Sequence, residues 1–234
     1  MAQMQIPNHL GVILDGNRRW AKSRGLNTWE GHKKGAKKFE DFLNWCLDMK
    51  IPKVSVYALS SDNIRNRKKK EVEEIFKLMK KNFDRLLNEK FDTLQKNEVQ
   101  VRVLGDYRKL PKSLLRVARK LMQKTSGYQK HILNLLIAYK GMEEILFGIK
   151  KIVRMALSGR VRITTKLMEK NLLESEPIDL IIRTGGRSRL SDFMPLQSAY
   201  SEIYVTKTLW PDFSKREFIK AINWFSSIQR NYGK

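Results

Sequence analysis

Five short runs rich in Val, Ile and Leu, at residues 11–14, 54–59, 99–104, 132–138 and 179–182, punctuate the chain and are separated by longer segments. Each run is too short for a helix, and unbroken apolar runs of this length mark strands covered on both faces. The segments between them repeat at helical spacing. Ala36, Phe39, Leu43, Cys46 and Leu47 form one face, and Val72, Ile75, Phe76, Met79, Phe83, Leu86 and Leu87 form a longer one that reads as a helix from Glu71. Phe218, Ile222, Phe225 and Ile228 give the last helix its apolar side. Strands alternating with helices imply an α/β fold on a mostly parallel central sheet flanked by helices. No repeat, low-complexity linker or composition break divides residues 1–234, so a single domain is expected.

In a parallel sheet all strands end at one edge, and ligands bind in the crevice beyond those ends. Three of the runs end in polar clusters: "DGNRRW" after Leu14, "SSDNIRNR" after Leu59 and "RTGGRSRLSDF" after Ile182. Asp, Gly and Asn also end strands simply as turn residues. Convergence of three such clusters instead supplies one small carboxylate, amides, hydroxyls, glycines and several arginines at one place. That set suits a diphosphate with a divalent metal: guanidinium forks grip phosphate oxygens, and one Asp with phosphate oxygens and water completes a magnesium shell. Arg183 and Arg189 flank a Gly-Gly turn, and buried arginines require anionic partners, of which phosphate is the most economical here. No GxxxxGK[ST] or GxGxxG occurs, which disfavours an ordinary ATPase or dinucleotide enzyme. "RNRKKK", residues 65–70, reads either as a solvated loop or as a mobile basic lid over a phosphate site.

Charge narrows the partners without choosing among them. Against 24 Asp+Glu stand 47 Lys+Arg, a formal +23, so nucleic acid, anionic lipid and diphosphates are all attracted. The sequence shows no nucleic-acid-binding motif and no basic stripe interleaved with aromatics, so nucleic acid is not expected as a partner. The single cysteine, Cys46, excludes an internal disulfide and a cysteine-rich zinc site, and its neighbours Phe42 and Leu43 suggest a buried position. No apolar run approaches a membrane span and the N-terminus lacks a signal-peptide core, so a cytoplasmic protein is expected, with peripheral membrane contact left open.

"HLGVILDGNRRWAK", "GHKKG", "VYALSSDN", "VRVLGD", "IDLIIRTGGRSRLSDF" and "YSEIYVTKTLWPDF" stand in the order and spacing of the cis-prenyltransferase family, which the chain resembles from about residue 7 onward. The resemblance implies a helix-flanked sheet sheltering a hydrophobic tunnel. It also implies condensation of an allylic prenyl diphosphate with isopentenyl diphosphate in cis, with Mg2+, toward a polyprenyl diphosphate for a glycosyl-carrier lipid. Carried over by position, Asp15 would hold Mg2+ and assist departure of the allylic diphosphate. Gly16, Asn17, Arg18, Arg19 and Trp20 would wrap that diphosphate with His32 nearby, although a tryptophan is most simply a core or interface residue. Asn63 and Ser60 would lie near the reacting carbons, with Arg65 or Arg67 the basic loop residue. Arg183, Arg189 and Ser191 would bind isopentenyl diphosphate, and Glu202 would serve metal binding and a dimer interface.

Departures bear on the substrate and the assembly. Ala138-Tyr139-Lys140-Gly141-Met142 replaces the family's usual Asn-Tyr-Gly-Gly-Arg, and Arg187-Ser188 replaces Glu-His. Thr28 stands for an arginine, Ile64 for an aromatic, and Asn231-Tyr232-Gly233 for the C-terminal Arg-x-Gly, with Arg230 one residue earlier. A homodimer is the implied assembly. A heteromer, an altered acceptor and a non-head-to-tail condensation stay open.

Overall fold

The computed structural model describes residues 4–159 and 161–229. The elements run β1 (His9–Ile13), α1 (Asn17–Lys22), α2 (Thr28–Asp48), β2 (Lys53–Ser60), α3 (Ser61–Asn66), α4 (Lys69–Asn88), α5 (Phe91–Lys96), β3 (Val99–Leu104), α6 (Lys112–Thr125), β4 (His131–Tyr139), α7 (Gly141–Leu157), α8 (Thr165–Lys170), β5 (Leu180–Arg183), β6 (Glu202–Val205) and α9 (Lys215–Ser226). All five expected strands form, and the six strands pair in parallel in the order β3-β4-β2-β1-β5-β6. The strand missed in the sequence is β6. It is a four-residue edge strand with no buried residue, so it lacks the apolar run that announces the others.

Alternation along the strands divides the core. Leu10, Val12, Leu133, Leu135, Leu180 and Ile182 point into the larger cluster, where Phe42 of α2, Phe76 of α4, Leu121 of α6 and Phe218 of α9 pack. Ile13, Leu136 and Ile181 point the other way, onto Phe193 and Met194. Cys46 is buried, as its neighbours suggested. The long helix begins at Lys69, two residues before Glu71, and α9 ends before Ile228.

The segment 65–70 is a corner between two helices, not an open loop. Ser60 caps α3 by accepting from the Asn63 N–H at 3.0 Å, and α4 starts at Lys69, so the chain turns a helix corner at Arg67 and Lys68. Arg65 stays exposed with its guanidinium on Asp62 at 3.2 Å, while Arg67 folds inward.

β1 is central in position and in register. Ile13 pairs with Tyr57 of β2 on one side and with Arg183 of β5 on the other, so the residues after all three emerge together. The chain first builds out from β1 through β2 and later through β5, which makes the end of β1 a switch point of the sheet. No helix among the described residues is long and apolar enough to cross a membrane.

Candidate active site

Beyond Ile13 the chain turns at Asp15 and Gly16 into α1. The Asp15 carbonyl is held from two sides, by the Trp210 N–H at 3.1 Å and the Thr184 hydroxyl at 2.7 Å. Its carboxylate therefore faces outward from a fixed backbone. One oxygen lies 3.1 Å from Arg19 Nη2 and the other 3.1 Å from Arg183 Nη2. Arg183, only 5% exposed at its side chain, also donates to the Ser191 hydroxyl at 3.0 Å and to the Arg189 carbonyl. The buried arginine thus has Asp15 as its anion, where the sequence suggested phosphate.

Arg19 Nη1 donates to the Gly185 carbonyl at 2.8 Å. Gly185 has φ of 82°, and a Cβ there would overlap Arg19 Nη2, so the double glycine lets the guanidinium cross the turn. The segment carrying Ser191 is strained: Ser191, Asp192 and Met194 have φ of 53°, 63° and 42°. It is pinned by the Tyr57 hydroxyl donating to the Ser191 carbonyl at 3.3 Å, and by the Asp192 carboxylate accepting from Met142 N–H at 3.2 Å. Left-handed backbone in non-glycine residues persists only where neighbours hold it, and here they hold a hydroxyl against Arg183.

A second cluster, which the motifs alone did not show, centres on Glu71. Its Oε1 lies 3.2 Å from Arg67, 3.4 Å from His32 and 3.6 Å from Arg18, joining α4, α2 and α1. Arg67 Nη2 donates to the Asn63 side chain at 2.8 Å, which ties the cluster to Ser60 and the end of β2. Burial, and then the Arg67 guanidinium, push the His32 pKa down to about 4. The ring is therefore neutral at pH 7, with its Nε2 3.3 Å from Arg67 Nη1 and 3.4 Å from Glu71 Oε1.

A histidine with a lower pKa in the folded chain than in the unfolded one binds its proton preferentially when unfolded. Its stabilising contribution is complete above about pH 6.5 and is lost as pH falls toward 4. The stability difference between wild type and His32→Gln is thus expected to shrink over that window, by on the order of 3 kcal/mol. Urea midpoints measured at several pH values check it, and parallel pH profiles for the two proteins would remove His32 from this role.

Below these clusters a cavity of about 280 Å³ runs between α2, α4 and the sheet. Leu14, Asn17 and His32 line its mouth, and Val99, His131 and Ile132 its far end. Along β4 the wall extends from Ile137 to His131, six residues or about 20 Å at the strand rise. Among the described residues, Asn17 Oδ1 and Arg183 Nε are buried without hydrogen-bond partners, both beside the mouth or the Asp15 carboxylate. Such atoms are suited to a polar ligand.

The remaining sequence candidates fall less centrally. Arg18 reaches Glu71, and Arg189 is exposed, contributing its carbonyl to Arg183. Trp20 is buried and donates its indole N–H to Asp212 at 2.7 Å, away from the carboxylate cluster. Glu202 opens β6 in register with Leu180, three residues or about 10 Å before Arg183, so this chain does not bring it to Asp15. No three His, Cys, Asp or Glu residues gather as a metal site among the described residues. Asp15 alone could hold Mg2+, with phosphate oxygens and water filling the shell. Arg230 and Asn231 lie outside the described residues.

A family model described as "Putative undecaprenyl diphosphate synthase" matches residues 13–233. The tritrans,polycis-undecaprenyl-diphosphate synthase (geranylgeranyl-diphosphate specific) of Methanopyrus kandleri is 38% identical, over 98% of this chain and 86% of its own length. The isoprenyl transferase of Aquifex pyrophilus is 37% identical over 99% and 97%. Among solved structures, lavandulyl diphosphate synthase from Lavandula x intermedia in complex with dimethylallyl diphosphate superposes with a TM-score of 0.91 at 29% identity, covering 98% of this chain and 99% of that one. The motifs at the strand ends, the sheet that gathers them and the extent of these matches agree, and the chain belongs to the cis-prenyltransferase family of undecaprenyl diphosphate synthases.

Proposed function

We propose that this protein condenses an allylic prenyl diphosphate with isopentenyl diphosphate in cis configuration, making a polyprenyl diphosphate for a glycosyl-carrier lipid. One observation carries the reading: a carboxylate bridging two arginines lies in the chain between Leu14 and Asn17, which line one end of a long apolar cavity. Diphosphate chemistry belongs at the first and a growing hydrocarbon in the second, where each buried CH2 contributes about 0.8 kcal/mol.

In the reaction the allylic C–O bond breaks and its electron pair leaves with diphosphate. The homoallylic double bond of the acceptor attacks the allylic carbon, and a proton is lost to restore a double bond. Negative charge therefore grows on the leaving oxygen, where fixed cations stabilise it most. Arg19 and the Arg18 and Arg67 guanidiniums around Glu71 surround the allylic end, with neutral His32 and Asn17 at the mouth. Arg183, Ser191 and Arg189 form the acceptor end, and Ser60 with Asn63 lies between them. Mg2+, held by Asp15 with the phosphates, would add Lewis-acid charge to the departing group.

Leu146, Phe147, Val153 and Leu157 are exposed on α7, and Ile203 on edge strand β6, apolar surface that suits a second copy of the chain. Glu202 lies at that edge, consistent with a role across a dimer. Lys140 with its ammonium 3.2 Å from Asp62, and exposed Arg187, are the changes that favour an altered acceptor as the second reading.

The test is incubation of purified protein with radiolabelled isopentenyl diphosphate, Mg2+ and either farnesyl or geranylgeranyl diphosphate, followed by product chromatography. The name of the Methanopyrus relative supports geranylgeranyl diphosphate as the better starter. Long cis products that vanish with chelator are expected. Label found only in branched or single-addition products would replace this reading by the altered-acceptor one.

A further inference from the structure

Helix α6, KSLLRVARKLMQKT, carries Lys112, Arg116, Arg119, Lys120 and Lys124 and no carboxylate. At 3.6 residues per turn the five cations fall within an arc of about 140°, and buried Leu114, Ala118, Leu121 and Thr125 occupy the opposite side. All five are exposed. Elsewhere on the surface Lys77, Lys80 and Lys215 sit on carboxylates, but none of the α6 cations has an acidic partner among the described residues. A strip of about 18 Å thus bears one sign of charge only.

The strip leads to the far end of the apolar cavity. Lys124 lies 4.8 Å over the Phe91 ring of α5, and the Thr125 hydroxyl accepts from Val101 N–H at 3.1 Å at the start of β3. Lys90, Thr93, Leu94 and Val99, on or beside these same elements, line the cavity where it is most distant from Asp15.

We propose that the outer face of α6 docks on an anionic lipid bilayer and sets the distal end of the cavity beside the membrane. Charge complementarity selects an anionic surface. Two observations favour lipid over nucleic acid. The exposed positions of the strip hold no aromatic on which a base would stack, and its end adjoins the apolar cavity that the proposed function assigns to hydrocarbon. The apolar product rests on the function proposed above; the docking itself requires no turnover.

Co-sedimentation of the full chain with vesicles of phosphatidylcholine alone, or of phosphatidylcholine with phosphatidylglycerol, tests it. Binding is expected only to the anionic vesicles and to weaken with salt. Each cation near such a surface is worth about fivefold, so Arg116→Gln/Arg119→Gln/Lys120→Gln should lower partitioning about a hundredfold. Lys215→Gln/Arg216→Gln/Lys220→Gln on α9 removes the same charge from another face and should leave most of the binding. Thermal melts of both variants establish that they fold. Equal losses in the two variants, or binding indifferent to phosphatidylglycerol, would overturn the proposal. So would tighter binding of a short duplex DNA that depends on the same α6 residues. Vesicle binding that persists while the prenyl-transfer assay fails would reject the proposed reaction and leave the surface intact.

Discussion

Asp15→Ala is expected to lower prenyl transfer by at least about a thousandfold, the scale of losing a principal electrostatic group at a developing charge. The Asp15 carboxylate is the point where Arg19 from α1 and Arg183 from β5 meet, each at 3.1 Å. Its loss has two separable effects. It removes the carboxylate that in the proposed reaction would hold a metal against the diphosphates, and it strands a guanidinium that is 5% exposed. Removing one partner of a buried pair costs about 3–5 kcal/mol, so the alanine variant should also melt earlier. Asp15→Asn separates the effects, because it keeps the shape and an acceptor for Arg183 while removing the charge. It should stay folded and still lose turnover. Pyrophosphate should bind the alanine variant at least as well as wild type, since Arg183 is then free for phosphate. Steady-state rates, thermal melts and pyrophosphate titration check the three outcomes, and undiminished turnover in a folded variant would remove Asp15 from the reaction.

Gly31→Ala is expected to destabilise the protein by about 2–3 kcal/mol and to slow turnover about a hundredfold. Propensity alone gives the opposite sign, because Gly31 lies inside α2, where alanine is favoured by about 1 kcal/mol. The packing reverses it. A methyl at this position would overlap the carbonyl oxygen of Asn17, reach its carbonyl carbon at 2.9 Å and the Ala21 side chain at 3.2 Å. These atoms belong to α1, which carries Asn17, Arg18 and Arg19, so relief of the overlap moves the residues proposed to bind diphosphate. Gly35, one turn later, faces the Asn17 side chain and Trp210 in the same way. Gly148→Ala in α7 is the matched control. Its nearest neighbour would be 3.4 Å away, so that variant should be neutral or more stable by up to about 1 kcal/mol. Thermal melts and rates of the two variants decide the matter; a Gly31→Ala protein with wild-type rate would show that α1 need not be held where it is.

Much of the architecture was legible because a parallel sheet buries both faces of its strands, and the resulting Val, Ile and Leu runs need no knowledge of partners. β6 escaped because a four-residue edge strand with no buried residue carries no such run. The convergence of Asp15, Ser60 and Arg183 was legible for a related reason: parallel strands all end at one edge. The spacing of glycines in "GHKKG" was visible in the chain but not its use, which is the close approach of α1.

By itself, then, the amino-acid order determined the strands, the shared edge on which the polar clusters fall and the chemistry those clusters suit, since these follow from local pattern and from chain direction. Only the tertiary structure decided which charges neutralise one another. Arg183 takes Asp15, Glu71 gathers Arg18 of α1, His32 of α2 and Arg67 from the corner before its own helix, and Glu202 stands about 10 Å down the sheet from Arg183, away from the metal site it was expected to serve. The physical reason is range: an ion pair depends on separations of 3–4 Å between side chains far apart in sequence, and strand register and helix packing set those separations.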